Sequence, residues 1–269
     1  MKGKLLSSLF TITEGQGAPL LVLHGWGMNH RVWERIRPGL IAHWQVTWVD
    51  LPGHGHSHAL PMGDFDELLE ELAPLLQPET VIIGWSMGGL LAQGLARRFP
   101  QRVKALMLIA STPCFVQRPE WPHGLAESVL DTFASNLQQD YSATVRRFFA
   151  LQFMGVRHDP SALQALRERV LALPASVSAL ARGLELLKQT DMTAVPTTVP
   201  CLWVFGRLDK LIPVSLADAL AERAAAAGSG SIRQQIVVLP KAAHVPFVTH
   251  PEDVLQSVTA FLAQLGEAP

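Results

Sequence analysis

Gly84-Trp85-Ser86-Met87-Gly88 constrains this chain more than any other stretch. A Gly-x-Ser-x-Gly run places a serine on a strained turn between a strand and a helix, with its hydroxyl pushed into the open. The flanks suit that turn. Thr80-Val81-Ile82-Ile83 is an apolar, β-branched run that reads as a buried strand, and residues 88–98 read as a helix. Gly84, Gly88 and Gly89 let backbone segments approach where a side chain would clash. Alone, the motif recurs by chance in about one chain of this length in ten. Its meaning depends on whether the other groups a nucleophilic serine needs stand elsewhere.

The surroundings repeat a strand-helix order. Strand-like runs at 20–23, 44–49, 80–83 and 103–109 alternate with helical stretches such as 65–76, whose acidic start (Asp64, Asp66, Glu67) suits a helix dipole. This alternation predicts a mostly parallel α/β sheet with helices on both faces. From about 111 to 190 no strand run occurs. Four helical stretches, 125–137, 143–153, 162–173 and 177–188, are separated by Pro, Gly and polar breaks. Strand and helix alternation then resumes at 199–205, 216–227 and 236–239, and 252–265 closes the chain as a helix begun by Pro251. The expected organisation is a core of residues 1–110 and 191–269, with 111–190 inserted as a helical cap. Such a cap lies over the carboxyl ends of the strands, where open α/β sheets bind ligands. Residues 228–231 read as a short flexible connection rather than a linker.

Composition narrows the classes. The chain has 269 residues, 48% of them hydrophobic, and a formal net charge of −1, which argues against nucleic-acid or anionic-membrane binding as a whole. Cys114 and Cys201 make no disulfide framework and read as small core residues. Leu5 to Phe10 is too short and too interrupted by serine for a signal peptide, and no run approaches a membrane span. A cytoplasmic monomer is expected.

A serine hydroxyl needs a base within reach and a third group to orient that base, in the chain order Ser, Asp or Glu, His. Of ten histidines, only His123, His158, His244 and His250 follow Ser86. His123 and His158 fall in the helical insertion, and His250 adjoins the last helix. His244 stands in a loop just after the strand at 236–239, the place such a base should occupy. Asp209 stands likewise after the strand at 199–205, whereas its rivals Asp191 and Asp218 precede that strand or lie in a helix. The oxyanion site needs two backbone N–H groups. Met87, after the nucleophile, and Trp26, in the early His24-Gly25-Trp26-Gly27 loop, are the expected donors. His24 reads as a brace of that loop. His54, His56 and His58 alternate but have no carboxylate or cysteine at close spacing, so loop structure is expected there and no metal. No GxGxxG follows the first strand, so no dinucleotide is expected.

Taken together, these residues resemble the α/β-hydrolase family over nearly the whole chain, including Asp50-Leu51-Pro52-Gly53-His54-Gly55-His56-Ser57 and Gly206-Arg207-Leu208-Asp209. More narrowly, Leu23-His24-Gly25-Trp26-Gly27-Met28-Asn29, the elbow, Ser111-Thr112-Pro113-Cys114-Phe115, Phe148-Phe149-Ala150-Leu151-Gln152-Phe153-Met154-Gly155 and Lys241-Ala242-Ala243-His244-Val245-Pro246-Phe247 are similar to the pimeloyl-acyl-carrier-protein methyl ester carboxylesterases of biotin synthesis. The resemblance implies a Ser86, Asp209, His244 triad with no cofactor. It implies substrate contacts at Trp26, Ser86, Met87, Phe148, Phe149, Ala150, Leu151, Gln152 and His244. Trp85, beside the serine, is expected to shape the acyl pocket. An independent feature is basic: Arg146, Arg147, Arg157, Arg167, Arg169 and Arg182 face only Asp159 and Glu168 in that stretch. Arg146, Arg147 and Arg157 are the expected contacts to an acidic carrier protein, although Ala143 departs from the family's basic pattern. The alternatives left open are a promiscuous esterase or C–C bond hydrolase on the same fold, and a non-catalytic binding protein on a hydrolase scaffold.

Overall fold

A computed structural model describes residues 9–157, 160–194, 199–226 and 234–266. His158, Asp159, the connection at 228–231 and most of the N-terminal apolar run lie outside them. Strands β1 (Thr11–Glu14), β2 (Pro19–Leu23) and β3 (Gln45–Val49) come first, with the short α1 (Arg37–Ile41) between β2 and β3, and α2 (Phe65–Leu72) after β3. β4 (Thr80–Trp85), α3 (Met87–Arg98) and β5 (Val103–Ile109) follow. Four helices then intervene: α4 (Glu127–Gln139), α5 (Tyr141–Leu151), α6 (Pro160–Leu171) and α7 (Val177–Gln189). β6 (Cys201–Gly206), α8 (Ser215–Ala226), β7 (Gln234–Leu239), α9 (Pro246–Thr249) and α10 (Pro251–Ala263) complete the described chain.

The strands form one sheet in the order β1-β3-β2-β4-β5-β6-β7. Every neighbouring pair is parallel except β1 with β3. The apolar runs explain the middle of the sheet. Leu20 to Leu23, Val81 to Ile83 and Ala105 to Ile109 are buried without alternation, as parallel strands covered on both faces must be. The sequence does not signal β1. Its four residues, Thr-Ile-Thr-Glu, carry too few apolar side chains to signal a strand, and β1 forms as an edge by pairing Ile12 with Trp48. The helices at 125–137, 143–153, 162–173 and 177–188 are expected from the sequence, and α4 to α7 occupy those stretches with shifted ends.

The sheet's parallel direction sends the loops after β2, β4, β6 and β7 out of the same edge. Leu23 at the end of β2 pairs with Gly84, and Gly206 at the end of β6 pairs with Leu239. Ser86, Asp209 and His244 therefore leave one rim of the sheet, from strands that are neighbours or nearly so.

Candidate active site

Ser86 is built by the geometry of its turn. It follows β4 directly and caps α3 with φ +53° and ψ −121°, a conformation that costs roughly 1–3 kcal/mol in a residue with a side chain. Packing enforces the strain. A Cβ on Gly84 would meet the Gly88 carbonyl oxygen at 2.5 Å, and one on Gly88 would collide with the carbonyls of Leu23 and His24. The helix thus sits so close to β2 and β4 that only glycine fits. Main-chain and side-chain bonds hold the turn: Ser86 N–H donates to Ile109 O (3.0 Å) and Ser111 Oγ donates to Ser86 O (2.8 Å).

His244 and Asp209 meet across the rim. His244 Nδ1 lies 2.8 Å from Asp209 Oδ2, with each side chain 1% exposed. Asp209 Oδ1 accepts from the N–H groups of Leu211 (2.7 Å) and Ile212 (3.0 Å), so both carboxylate oxygens are engaged. A carboxylate on Nδ1 leaves Nε2 as the free lone pair of the neutral ring. Nε2 is buried and has no hydrogen-bond partner among the described residues. Two contacts fix the His244 main chain. Its carbonyl accepts from the Trp85 indole (2.8 Å), and its N–H donates to Gln152 O (3.2 Å).

The His24-Gly25-Trp26-Gly27 loop lies against the serine. A Cβ on Gly25 would meet Ser86 Cβ at 3.2 Å. Trp26 is 2% exposed, and its indole donates to Leu180 O of α7 (2.8 Å). Met87 is the first residue of α3, so its N–H has no acceptor within the helix.

Ser86 opens on a cavity of about 30 Å³ lined by Trp26, Phe115, Leu125, Leu130, Phe133, Phe148, Leu184, Leu187 and Leu211. A space of that size holds about one water. Ser86 supplies the sole hydroxyl, amide or charged side chain among these residues. Outside it lies an apolar groove of about 810 Å³, which shares Phe133 with the cavity and includes Arg147, Ala150, Leu151 and Met154.

The segment at 148–152 therefore splits. Phe148 lines the cavity and meets Trp26 edge-on at 4.7 Å. Ala150 and Leu151 line the outer groove, and Phe149 packs on Phe153. Gln152 is fully buried, and neither end of its side-chain amide has a partner among the described residues. Trp85 does not line the cavity. Its indole lies between His244 (5.5 Å), Phe247 (5.2 Å) and Trp33 (6.3 Å), which makes it a support for His244. Arg146, Arg147 and Arg157 are exposed. Sequence reasoning missed the cavity residues Leu130 and Phe133 of α4 and Leu184 and Leu187 of α7. Their three-residue spacing marks a buried helix face, but says nothing about what that face covers.

The alternating histidines diverge. His54 bonds to Pro52 O and Gly27 N–H, His56 packs on Phe10, and His58 bonds to Pro174 O. Among the described residues, no cluster of three His, Cys, Asp or Glu side chains could hold a metal ion.

Residues 18–251 match the family model of the alpha/beta hydrolase fold. A pimeloyl-[acyl-carrier protein] methyl ester esterase of Aeromonas hydrophila subsp. hydrophila is 40% identical over 258 residues, covering 92% of this chain and 96% of that protein. One from Klebsiella pneumoniae is 39% identical, covering 95% and 97%. Among solved structures, an esterase from Exiguobacterium antarcticum superposes with a TM-score of 0.83 at 20% identity, over 95% of each chain. This chain belongs to the α/β-hydrolase family.

Proposed function

We propose that this chain is a serine carboxylesterase that hydrolyses the methyl ester of pimeloyl-acyl-carrier protein, a step of biotin synthesis. One observation carries the reaction class: a buried His244–Asp209 pair, 2.8 Å apart, on the strand rim that also bears Ser86, the sole reactive side chain of an apolar cavity. The near-full-length identity to proteins bearing that name supports the substrate.

In this reading Ser86 Oγ attacks the ester carbonyl carbon while His244 Nε2 takes its proton. Asp209 holds the tautomer and stabilises the imidazolium that forms. The Trp26 and Met87 N–H groups hold the oxyanion. When the tetrahedral intermediate collapses, the C–O bond to methanol breaks and His244 returns the proton to it. Water, activated by the same nitrogen, then hydrolyses the acyl-enzyme, freeing the distal carboxyl of the carrier-linked pimeloyl chain and restoring Ser86. Trp26, Phe148 and Gln152 contact the acyl chain, and Trp85 acts from behind His244. Residues 111–190 form the cap, and its exposed Arg146, Arg147 and Arg157 attract the acidic carrier. No helix among the described residues is long and apolar enough to cross a membrane; the same reading makes the enzyme a cytoplasmic monomer.

The test is turnover of methyl pimeloyl-carrier protein beside free methyl pimelate, with complementation of a biotin auxotroph lacking this esterase. The carrier-linked ester should be preferred, and its kcat/KM should fall with added salt while that of the free ester does not. Ester turnover without rescue or carrier preference would move the chain to another physiological ester.

A further inference from the structure

The loop at 51–58 contains one buried histidine, His54, that the reaction scheme leaves unused. His54 is fully buried, and its ring nitrogens have different partners. Nδ1 lies 2.9 Å from Pro52 O, a carbonyl that can only accept, so Nδ1 carries the hydrogen. In a neutral ring Nε2 is then an acceptor, and it receives the Gly27 N–H at 3.2 Å. His24, also fully buried, follows the same logic. Its Nδ1 donates to Gly25 O at 2.8 Å, and its Nε2 accepts the Leu51 N–H at 3.0 Å. The two rings are 5.2 Å apart. Their bonds fall on the carbonyl before Trp26 and the N–H after it, and none of them uses the Trp26 N–H. The loop that carries His54 is itself anchored: Asp50 accepts from the N–H groups of His30 and His56, each at 2.8 Å.

We propose that His54 is a positioning residue of the oxyanion site: its neutral ring clamps Gly27 and so aims the Trp26 N–H at the charge that develops on the substrate. The proposal rests on the reading of Trp26 as an oxyanion donor. A main-chain donor works only if it is held in place before the charge appears, because reorientation during the reaction would cost what the bond gains. Gly25 and Gly27 are the most pliable neighbours a turn can have, with Gly27 at φ +70°, so the turn needs an outside restraint. His54 supplies it from one side and His24 from the other. Both rings must stay neutral, since a protonated Nε2 would face a main-chain N–H. Burial is the main cause that keeps them so, lowering His54 to about 3 and His24 to about 4 despite the nearby Asp50 carboxylate. The groups facing His54 are His24, Asp50 and His58.

Two substitutions separate positioning from mere support of the loop. H54Q puts an acceptor where Nε2 was and can keep the Gly27 bond. H54N puts its amide where Nδ1 was and can keep the Pro52 bond alone. On a short p-nitrophenyl ester, H54N should lose about tenfold to a hundredfold in kcat with KM nearly unchanged, short of the full loss of an oxyanion donor. H54Q should retain most of kcat. Affinity for an alkyl boronic acid, whose adduct places an oxyanion in the site, should fall in parallel with kcat. Equal kcat in the two variants, or a change confined to KM, would overturn the proposal. If neither variant folds, the 15N shift of His54 Nε2 in the wild-type enzyme decides. A bare, accepting nitrogen near neutral pH supports the clamp, and a protonated one overturns it. The structure of a wild-type phosphonate adduct separates the two readings. A phosphoryl oxygen away from the Trp26 N–H removes the donor assignment and the clamp together. If the oxygen bonds to that N–H while the variants behave alike, the clamp alone is lost.

Discussion

The two walls of the Ser86 cavity are built on opposite plans. On the strand side the proposed catalytic groups are tied down by polar bonds: Asp209 through two N–H groups, His244 through Asp209, Trp85 and Gln152, and the Trp26 turn through His24 and His54. On the helix side the wall is Leu130, Phe133, Phe148, Leu184 and Leu187, with no polar side chain. The helix side is itself uneven. Its rear is bolted to the core, where Asn29 Nδ2 donates to Val170 O and Leu173 O (2.9 Å each), Ser176 N–H to Gly53 O (2.7 Å) and Trp26 to Leu180 O. Its front is α4, which packs on α7, and α5, which packs on α4; it meets the core mainly through apolar contacts, with the bond from His244 N–H to Gln152 O as a link. Polar bonds demand one geometry, whereas apolar contacts tolerate sliding. Chemistry needs the first, and admission of an acyl chain to a cavity of about 30 Å³ needs the second.

The strand wall gives the largest expected effects. Asp209→Asn should lower kcat by about 10⁴-fold on short and long esters alike, because the amide leaves His244 in the wrong tautomer. Ser86→Ala should abolish turnover with the fold intact. Steady-state kinetics on a p-nitrophenyl ester series, with circular dichroism for the fold, checks both. A loss that depends on chain length would put Asp209 in the wrong wall.

The strand wall should also be the acid-sensitive one. The folded pKa values of His24 and His54, about 4 and 3, lie below the ordinary value near 6.5. Unfolding therefore takes up protons as pH falls below about 6.5, and stability falls with it, by up to about 1.4 kcal/mol per pH unit for each ring. Asp50 adds to this lower down. Burial alone would raise it, but bonds from His30 and the charge of His24 outweigh that and hold it at about 2, so its contribution is lost below pH 4. Thermal midpoints from pH 7 to 4.5 should fall steeply, and less so for His54→Gln. A flat profile in that range would show that the rings are not held neutral.

Much of the strand wall was legible in the sequence, and little of the helix wall. Ser86, Asp209 and His244 each follow an apolar run that ends in a loop, and parallel strands bring such loops to one rim whatever the details of packing. Trp85 was legible as a neighbour of Ser86 but not in direction. Alternation along β4 turns consecutive residues to opposite faces, and its indole goes behind His244. His24 was legible as a brace, whereas the role of His54 depends on a bond across 27 residues that no local pattern encodes. The lining of the helix wall depends on how α4, α5 and α7 cross, which amphipathic spacing does not specify.

The rear of the helix wall should respond in stability rather than rate. Asn29→Ala removes the side-chain donor from Leu173 O and from Val170 O, which keeps the Leu173 N–H, and should cost about 1–3 kcal/mol, read as a lowered midpoint in urea. kcat on a short ester should change little. A large kcat loss with full stability would mean that the rear reports directly to the chemistry, and the division between walls would fail.

The front of the wall carries the smallest and most selective effect. Phe133 separates the inner cavity from the outer groove of about 810 Å³ and packs edge-on against Phe148 at 5.7 Å. Phe133→Ala should join the two spaces. Because Phe133 is only half-buried, the stability cost should sit at or below the roughly 3 kcal/mol lower end for a core phenylalanine. The kcat/KM ratio of octanoate to acetate p-nitrophenyl esters should rise about tenfold, since a longer chain would no longer have to displace the ring, a difference of about 1.4 kcal/mol. Asp209→Asn in the same background should lower both esters equally and leave that ratio where Phe133→Ala set it. A ratio that moves with Asp209, or stays fixed when Phe133 is trimmed, would mean that selection and chemistry share one wall.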